Sequence, residues 1–407
     1  MTTAQVTRTP FWLAGSFALA ALSSPLLLMF GNKSMVVVLA VLTVPSAAAL
    51  IRGGAWRRDW NVSVLLAMGA LLAWAALSVL WAQVPELVLP KSARLLGLVL
   101  CGLVVCAAAR LLDEPSRRGV FWALGSGFIL AAGVVLVFPH DLLSPSLLET
   151  LDVNGGTSLS HYKNVAGAGM VMTGAALAAA WQRRAWVFGL VLLVAIVLLV
   201  EKTGNLTGGV ALLLVLVAVT VPRRFGVALA AGFASALFVA VPFAHLLPGS
   251  AVLAQAMPFL PNSLLHRTEI WHFAAGRAWE RPFLGWGLDA SRELPGGGAD
   301  VVVWIRLGNG EMSSFPSQIL PLHPHDFLLQ VWLELGFVGV ALLAVLLAAL
   351  LAAARRSSMA VATLVAALAV AAASFSLWQS WWMATLFLSA AMAIALTQKP
   401  SSKGRAP

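Results

Sequence analysis

Residues 335–353 read LGFVGVALLAVLLAALLAA, a run of 19 residues without a charged side chain. A helix needs about 20 apolar residues to cross the hydrocarbon core of a membrane. Similar runs follow one another along most of the 407 residues, of which 60% are hydrophobic and only 10% are charged. Soluble domains carry about 25% charged residues. The sequence therefore predicts a polytopic membrane protein and excludes a soluble enzyme with a single anchor.

Twelve apolar segments are predicted to span the membrane. They cover residues 11–30, 35–51, 62–82, 95–112, 119–138, 164–181, 186–200, 204–221, 225–246, 325–353, 359–375 and 378–397. Backbone groups in lipid must be paired within the segment, and these runs lack the short alternating pattern of barrel strands, so an all-α fold is predicted. The first run is too long, and its flank too weakly basic, for a cleaved signal peptide, so we expect a retained helix. Cys101 and Cys106 lie within one run and are interpreted as small apolar side chains.

The distribution of Lys and Arg predicts the orientation of the spans. With the N-terminus in the cytoplasm, 16 of the 26 basic residues lie on the cytoplasmic side, namely Arg8, Arg52, Arg57, Arg58, Arg110, Arg117, Arg118, Arg183, Arg184, Arg223, Arg224, Arg355, Arg356, Lys399, Lys403 and Arg405. The acidic residues there are Asp59, Asp113 and Glu114, so this side carries a net charge of +13 against −3 outside. Such an excess is typical of cytoplasmic loops. The net charge of +10 is therefore interpreted as a topology signal and not as a nucleic-acid-binding surface.

All seven histidines and the longest polar segment are predicted on the outer side, opposite the cytoplasm. The histidines are His140, His161, His245, His266, His272, His323 and His325. The polar segment, residues 247–324, separates nine predicted spans in residues 1–246 from three spans and a short cytoplasmic tail in residues 325–407. Long loops without structure are uncommon unless they are functional, so we expect a compact helical subdomain here. Within it, Ser263 to Trp279 is predicted to form an amphipathic helix that could lie on the membrane surface.

The strongest candidate for a reactive group lies in residues 321–326, PLHPHD, at the start of the tenth span. Pro324 suits the first turn of a helix, where its missing N–H would be unpaired anyway. His325 would then sit at a helix N-terminus, which disfavours imidazolium, so we expect a pKa near or below the ordinary value and a neutral base at pH 7. Capping of loop carbonyls by His323 and His325 is an equally weighted alternative. A zinc site is less favoured, because neither histidine has a His or a carboxylate four residues later.

Three arginines of the outer segment, Arg267, Arg277 and Arg281, indicate an anionic ligand. The guanidinium group offers a fixed fork of donors that suits phosphate oxygens. Anchoring to the cytoplasm does not explain arginines on this side. The alternative is a solvated network in which they pair with Glu269, Glu280 and Asp289. That alternative is more plausible for any single arginine than for all three together.

Shorter outer turns also carry ionisable or polar groups against the ends of spans. They are Lys163 and Asn164 at the sixth span, Lys202 and Asn205 between the seventh and eighth, and Lys91 and Arg94 at the fourth. Ionisable groups at such depth are costly and often functional. A lysine can also extend its ammonium group to water, however, and this is the simpler interpretation of Lys163 and Lys202.

Several short motifs share their spacing with the motifs of one known family. The motif is a His and one further residue, then nine residues, then a Gly and a second small residue three positions later. His325, Asp326, the nine residues 327–335, Gly336 and Gly339 match this spacing. Further matches are Arg267 with Trp271, the run Pro282-x-x-Gly285-x-Gly287, and the turn Tyr162-Lys163-Asn164. Together with the layout of the spans, these motifs resemble the lipopolysaccharide O-antigen ligase family, within the superfamily of O-antigen ligases and polymerases. Asp326 stands where the family usually has Asn, Ser or Gln, and Lys202 and Asn205 stand where it often has Arg.

The resemblance implies a metal-independent glycosyltransferase of the multi-spanning C type. It implies transfer of O-antigen polysaccharide, with inversion, from undecaprenyl diphosphate to a sugar hydroxyl of the lipid A core, on the periplasmic face of the bacterial inner membrane, in lipopolysaccharide biosynthesis. His325 is the expected catalytic residue. Residues expected to bind the diphosphate or sugar are Arg267, Arg277, Arg281, Lys202, Lys163, Asn164, Arg94 and His323. The expected partners are the lipid-linked donor, the lipid A core acceptor and membrane lipids; we expect no metal ion, no cofactor and no nucleic acid.

Two other functions remain open. An O-antigen polymerase or an O-linked protein oligosaccharyltransferase would use the same lipid-linked donor with a different acceptor. A transporter of lipid-linked oligosaccharide is a more distant alternative. Such a protein would be expected to carry ionisable residues at mid-membrane and internal repeats, and the predicted spans are interpreted as lacking both.

Overall fold

The computed structural model describes residues 9–53, 60–138 and 158–397. Nearly all regular structure within these ranges is helical, which confirms the predicted all-α class. Some residues used to predict the orientation lie outside the described residues, together with one histidine. They are Arg8, Arg57, Arg58, Asp59, His140, Lys399, Lys403 and Arg405.

Fifteen α-helices are present in the described parts of the chain. Ten precede the long polar segment: α1 Phe11–Phe30, α2 Ser34–Arg52, α3 Val62–Leu77, α4 Pro85–Ala109, α5 Glu114–Val137, α6 Ser158–Gly167, α7 Met170–Gln182, α8 Trp186–Thr203, α9 Leu206–Thr220 and α10 Arg223–Ala240. The other five are α11 Ser250–Ala256, α12 Asn262–Glu280, α13 Phe327–Ala354, α14 Ser358–Ala371 and α15 Ser380–Leu396. Side chains of Asn61, Asn205 and Ser357 accept backbone hydrogen bonds at the starts of α3, α9 and α14, as N-cap residues do.

Eight helical segments of the described chain are long and apolar enough to cross a membrane. They are α1, α2, α3 extended by a 3-10 turn to Leu80, α4, α5, α8, α10 extended by a 3-10 turn to Leu246, and α13. Three further apolar helices, α9, α14 and α15, have 15, 14 and 17 residues. The sixth predicted span is divided into α6 and α7 at Ala168 and Gly169. The protein is therefore a multi-pass membrane protein, and the twelve predicted segments comprise eight full-length spans, three short helices and one divided helix.

Helix α7 lies in the interior of the bundle. Every residue from Met170 to Ala180 is buried. It packs against α14 and α15, and α15 in turn packs against α4. A Cβ on Gly174 would come within 2.7 Å of the Ala362 backbone, so this glycine allows the close approach of α7 and α14. Small residues serve this purpose in membranes, where apolar side chains gain little from leaving equally apolar lipid.

The segment 247–324 contains a β-hairpin that the sequence did not indicate. Its strands, β1 Asp300–Arg306 and β2 Met312–Gln318, are antiparallel, with Val303 opposite Phe315. Val303 is buried against Leu265 of α12 and Ala254 of α11, while alternate residues of β1 face outward. The expectation of a wholly helical subdomain is therefore corrected for residues 300–318: a pair of strands covers one side of α11 and α12.

Helix α12 corresponds to the predicted amphipathic helix, but its apolar side faces protein. Leu265, Ile270, Ala274 and Ala278 are buried. The helix packs against α13 and against the 3-10 turn at 241–246. The expectation that this apolar side could lie on the membrane surface is therefore wrong, because α13 and the turn already cover it.

Gly336 breaks α13 at its tenth residue. Its φ of 66° and ψ of −171° are not helical. A Cβ at this position would overlap the carbonyl group of Phe283, and a Cβ on Gly285 would overlap the backbone of Glu334. The loop 282–287 therefore inserts against the break, and the glycines of two separate motifs allow the two backbones to touch.

The break in α13 leaves backbone groups that find partners outside the helix. Three carbonyls accept new hydrogen bonds: Leu333 O from Trp286 N at 2.9 Å, Glu334 O from Gly287 N at 2.8 Å, and Leu335 O from Trp74 Nε1 at 3.0 Å. In the other direction, Phe337 N donates to Pro282 O at 2.8 Å. Broken helices occur at membrane depth only where neighbouring groups satisfy the backbone. Loop 282–287 is thus a structural part of the tenth span.

Candidate active site

The two histidines of the 321–326 motif lie in a turn before α13. His325 has a φ of 58°, in the left-handed region, and α13 begins at Phe327 with Asp326 as its N-cap. The expectation that Pro324 begins the helix is therefore wrong by three residues. The capping carboxylate of Asp326 accepts from Leu329 N at 2.8 Å, and this bond fixes where the helix can start. The turn is also held from α12, because Trp271 Nε1 donates to Pro324 O at 2.9 Å.

One backbone carbonyl determines the tautomers of both rings. His325 Nδ1 lies 2.6 Å from Ser374 O, and His323 Nε2 lies 3.3 Å from the same oxygen. A carbonyl oxygen has no proton to give, so both nitrogens must be donors. In the neutral form, His325 therefore carries its proton on Nδ1 and presents Nε2 with a free lone pair. The ring centroids of His323 and His325 lie 4.2 Å apart.

Both histidines are held neutral at pH 7. Burial lowers the pKa of His325 to about 4; the Ser374 hydrogen bond opposes this shift, and the charge of Arg267 and the neighbouring His266 add to it. Burial lowers the pKa of His323 to about 3, helped by His325, Arg292 and Arg267 and opposed by the Ser374 hydrogen bond. The direction predicted for His325 agrees with this shift, although burial is the main cause. His323 is buried whereas His325 is half-buried, so His325 is the more accessible of the two.

Arg267 is the cation placed to act beside His325. It lies on α12 one turn before Trp271, and its charge lowers the pKa of His325. Within the described part of the chain, Arg267 has no carboxylate at salt-bridge distance and no hydrogen-bond acceptor. The partner proposed in the pairing alternative, Glu269, instead accepts from Ser250 N at 2.5 Å. Burial also lowers the pKa of Arg267 itself, as expected for a half-buried cation without a counterion.

The other two arginines have protein partners. Arg277 Nη1 donates to Glu280 at 2.6 Å, and its guanidinium lies 4.6 Å from the Trp286 ring centroid. Arg281 lies over the same ring at 4.1 Å and is exposed. The pairing alternative therefore describes Arg277, while Arg281 is stacked on an aromatic ring. For both residues, binding of an anion stays a prediction.

The turns that begin at Lys163 and Lys202 lie against each other. Asn205 Nδ2 donates to Lys163 O at 3.0 Å, while its Oδ1 accepts from Gly208 N at 2.8 Å. Both lysines are exposed, and Lys202 lies 3.6 Å from Glu201. A Cβ on Gly167 would be 3.6 Å from Phe375, next to Ser374, so these turns border the loop that contacts the histidines.

The two basic residues at the start of α4 differ in environment. Lys91 is buried and bonds to Asp289 at 2.9 Å. Arg94 is exposed on the same helix. Lys91 thus forms a buried ion pair with the segment 247–324 and does not extend its ammonium group to water.

Among the described residues, no group of three or more His, Cys, Asp or Glu side chains is arranged to hold a metal ion. His323 and His325 direct one nitrogen each at the same carbonyl oxygen. The charged groups that face them are arginines and not carboxylates.

The comparisons with known proteins bear on this site. A family model described as "O-Antigen ligase" matches residues 168–344, which include Arg267, His325, Gly336 and Gly339. The predicted resemblance to the O-antigen ligase family is confirmed. Relatives named "putative polysaccharide ligase" are found in Rickettsia conorii, 30% identical over 129 residues, and in Rickettsia felis and Rickettsia prowazekii, each 29% identical over 132 and 130 residues. These matches span about 30% of this chain and 29% to 30% of the relatives. No solved structure matches the chain.

The O-antigen ligase family pattern has a structural explanation at Asp326. The family usually has Asn, Ser or Gln after the histidine, and here the side chain at that position caps α13. Asn, Ser and Asp are all strong N-cap residues, because each offers an oxygen to a free backbone N–H. Asp326 therefore makes a cap that Asn or Ser at this position could also make. It adds a buried carboxyl group, and burial raises the pKa of Asp326 to about 7.

Four residues near the histidines were not identified as candidates from the sequence. Ser374 acts through its backbone carbonyl, which leaves no signal in the side-chain pattern. Arg292 lies near His323 and is held by Asp289 at 3.1 Å. Gln330 and Glu334 are polar residues within α13, one turn apart, so they were visible in the sequence as exceptions in an apolar run. Glu334 is thus an ionisable residue that is fully buried within the tenth span, and it was overlooked in the sequence.

Proposed function

We propose that the protein is an O-antigen ligase that transfers O-antigen polysaccharide from undecaprenyl diphosphate to a sugar hydroxyl of the lipid A core. One observation carries the proposal: a neutral imidazole with a free Nε2 lies beside a half-buried arginine that has no counterion in the described chain. A base and an unpaired cation are the two groups that displacement of a lipid diphosphate requires.

In the proposed reaction, the acceptor hydroxyl gives its proton to His325 Nε2. The acceptor oxygen then forms a bond with the anomeric carbon of the donor sugar, while the bond from that carbon to the diphosphate oxygen breaks. The electron pair of the broken bond stays with the undecaprenyl diphosphate. Arg267 stabilises the charge that develops there, since a guanidinium donates in the geometry that phosphate oxygens accept. A single displacement of this kind inverts the anomeric centre.

The low pKa of His325 in the free protein, about 4, fits this role only if donor binding changes its surroundings. A general base works best when its pKa is near the working pH. The diphosphate carries negative charge, which partly neutralises Arg267 and favours the imidazolium form. We therefore infer that the donor raises the basicity of His325 when it binds, so that the base becomes effective in the loaded site.

The proposal places the protein in the bacterial inner membrane with residues 247–324 and the histidine turn on the periplasmic face. Two observations support this orientation: Arg117, Arg183 and Arg223 lie at or next to helix ends on the opposite side, while the segment 247–324 contains both acids and bases. Ligases and polymerases of the superfamily both need their site on this face, where the lipid-linked donor is used.

The test is a transfer assay with the purified protein in nanodiscs. One reaction contains lipid-linked O-antigen and lipid A core, and a second contains lipid-linked O-antigen with a second lipid-linked chain. We expect product in the first reaction alone. Product in the second alone would identify a polymerase, transfer to an added protein acceptor would identify an oligosaccharyltransferase, and movement of the donor across the bilayer without a new glycosidic bond would identify a transporter.

A further inference from the structure

Gln330 and Glu334 form a buried polar cluster within α13, next to the candidate site. Only 1% of Gln330 and 0% of Glu334 are exposed. Gln330 Nε2 donates to Glu334 Oε1 at 3.0 Å, so the two side chains act together. Burying an amide and a carboxylate in a membrane helix is costly unless hydrogen bonds compensate them. The partners of this pair therefore indicate its purpose.

Most of those partners lie in residues 374–378, the segment between α14 and α15. The bonds are Gln330 Nε2 to Ser376 Oγ at 2.9 Å, Leu377 N to Gln330 Oε1 at 2.9 Å, and Trp378 Nε1 to Glu334 Oε2 at 2.6 Å. This segment begins with Ser374, whose carbonyl accepts from His325 Nδ1 at 2.6 Å. The helix that starts just after His325 thus also holds the segment that orients the His325 ring.

A direct chemical role for Glu334 does not fit its contacts. Each carboxylate oxygen accepts two hydrogen bonds: Oε1 from Gln330 Nε2 and Ser291 Oγ, and Oε2 from Asp289 N and Trp378 Nε1. Four donors use the oxygens fully, and 0% of the residue is exposed. No lone pair is left to accept a hydrogen bond or a proton from a substrate. The carboxylate is arranged to hold its neighbours.

We propose that Gln330 and Glu334 are positioning residues that hold the 374–378 segment in place, so that the Ser374 carbonyl keeps the proton of His325 on Nδ1 and its Nε2 free as the base. The role rests on the proposed function of His325. Without the fixed carbonyl, the proton can move to Nε2, and the ring then presents a donor to the acceptor hydroxyl. The wrong tautomer cannot take a proton from that hydroxyl.

The experiment uses the full chain in nanodiscs and two observables. Nitrogen NMR of histidine-labelled protein reports the tautomer of His325, assigned by the signal that disappears in His325→Gln. Steady-state transfer kinetics report kcat and the KM for the lipid-linked donor. The variants are Gln330→Met, which keeps the side-chain length and removes the amide, and Ser376→Ala, which removes one acceptor of Gln330.

Thr385→Val is the matched control. Its hydroxyl is equally buried and donates to Trp381 O at 2.8 Å within α15, away from the histidines. Loss of that hydroxyl removes one buried hydrogen bond without touching residues 374–378. We expect the control to keep a single His325 tautomer and unchanged kinetics.

For Gln330→Met we expect a mixture of His325 tautomers and a kcat lowered about 10- to 100-fold, with the donor KM within twofold. This loss is smaller than the roughly 10² to 10⁴ that a general base contributes in total, because part of the population keeps the competent tautomer. Ser376→Ala should change the tautomer ratio and kcat in the same direction as Gln330→Met, but by a smaller amount. A folded Gln330→Met protein with one His325 tautomer and the original kcat would overturn the proposal. If Gln330→Met does not fold, the same result with Ser376→Ala overturns it. The tautomer measurement needs no turnover, so it remains decisive even if the wild-type protein fails to use lipid-linked O-antigen.

Discussion

At the residue scale, the chemistry of the candidate site depends on a backbone atom. Ser374 O lies within hydrogen-bond distance of both His323 and His325 and thereby assigns opposite tautomers to the two rings. Nε2 is free in His325, and Nδ1 is free in His323. The half-buried ring of His325 is accessible, whereas His323 is buried. The two histidines are therefore expected to differ in function although they are two residues apart.

We predict that His325→Ala lowers transfer about 10² to 10⁴-fold, the range that a general base contributes. The variant should still insert into the membrane and bind donor, because His325 does not lie within a span. His323→Ala should be milder, since that ring only shares the Ser374 carbonyl. Turnover and donor affinity, measured separately, check this. A His325→Ala protein within a few-fold of wild type would show that another group is the base.

A second prediction concerns pH. The pKa of His325 is depressed to about 4, so the free protein keeps a neutral ring at every pH above that value. We expect kcat/KM for the donor to stay level between about pH 8 and 5.5 and to fall only as the pH approaches 4. The acid limb of kcat should lie at higher pH, because the bound diphosphate favours imidazolium. Recovery of activity on return to pH 7 controls for unfolding, and a loss already complete at pH 6 in kcat/KM would contradict a buried, neutral base.

A third prediction concerns Arg267. Loss of a charge-assisted hydrogen bond costs about 1.5 to 3 kcal/mol, which corresponds to about 10- to 100-fold in donor KM or kcat/KM for Arg267→Ala. Arg267→Lys should recover only part of this, since lysine lacks the fork of donors. Arg277→Ala is the comparison variant, and we expect a smaller effect for it because Arg277 is already paired with Glu280. Wild-type kinetics for Arg267→Ala would mean that its guanidinium does not bind the diphosphate.

At the scale of elements, the break in α13 explains the glycine spacing of the family pattern. Gly336 and Gly285 make the contact between α13 and loop 282–287, and their positions relative to His325 follow from it. The sequence indicated this spacing but not its cause. The loop and the helix are about 50 residues apart in the chain, and the contact that joins them is between backbones.

We predict that Gly336→Ala destabilises the protein by at least about 2 kcal/mol. The substitution places a side chain at positive φ and against the Phe283 carbonyl, so backbone strain and steric overlap add. Gly69→Ala is the matched control: Gly69 lies in α3 with open space where a Cβ would be, and alanine favours a helix. Thermal unfolding in detergent should show a lower midpoint for the first variant and an unchanged or raised midpoint for the second. An unchanged midpoint for Gly336→Ala would contradict the tight contact.

At the scale of the whole molecule, composition was sufficient to predict the class of fold, because apolar runs in lipid have few structural options. The hairpin at 300–318 was missed, since its strands are short and its alternation became clear only with α11 and α12 as a packing surface. His325 and Arg267 could be found from residue type and spacing. Ser374 and Arg292 could not, because their roles depend on contacts between distant parts of the chain. Glu334 was visible as a charged residue in an apolar run, but its contact with Trp378 was not.

The orientation of the bundle is also testable at this scale. We predict that alkaline phosphatase inserted after Gly298, in a turn of the segment 247–324, is active, and that a cytosol-dependent fluorescent protein at the same site is dark. An insertion after Pro222, between α9 and α10, should give the reverse result, because Arg223 and Arg224 follow there. The opposite pattern at the two positions would place the histidine turn on the cytoplasmic side.

The contact at Gly336 also affects how the chain is assembled and how it comes apart. Three α13 carbonyls have donors in Trp286, Gly287 and Trp74, and each would cost several kcal/mol if left bare in lipid. The tenth span therefore reaches its final form only after the preceding extramembrane loop has folded against it. The amides of Trp286 and Gly287 should then exchange with solvent deuterium as slowly as those of the surrounding helices. The segment 247–324 and the bundle would unfold in one cooperative step.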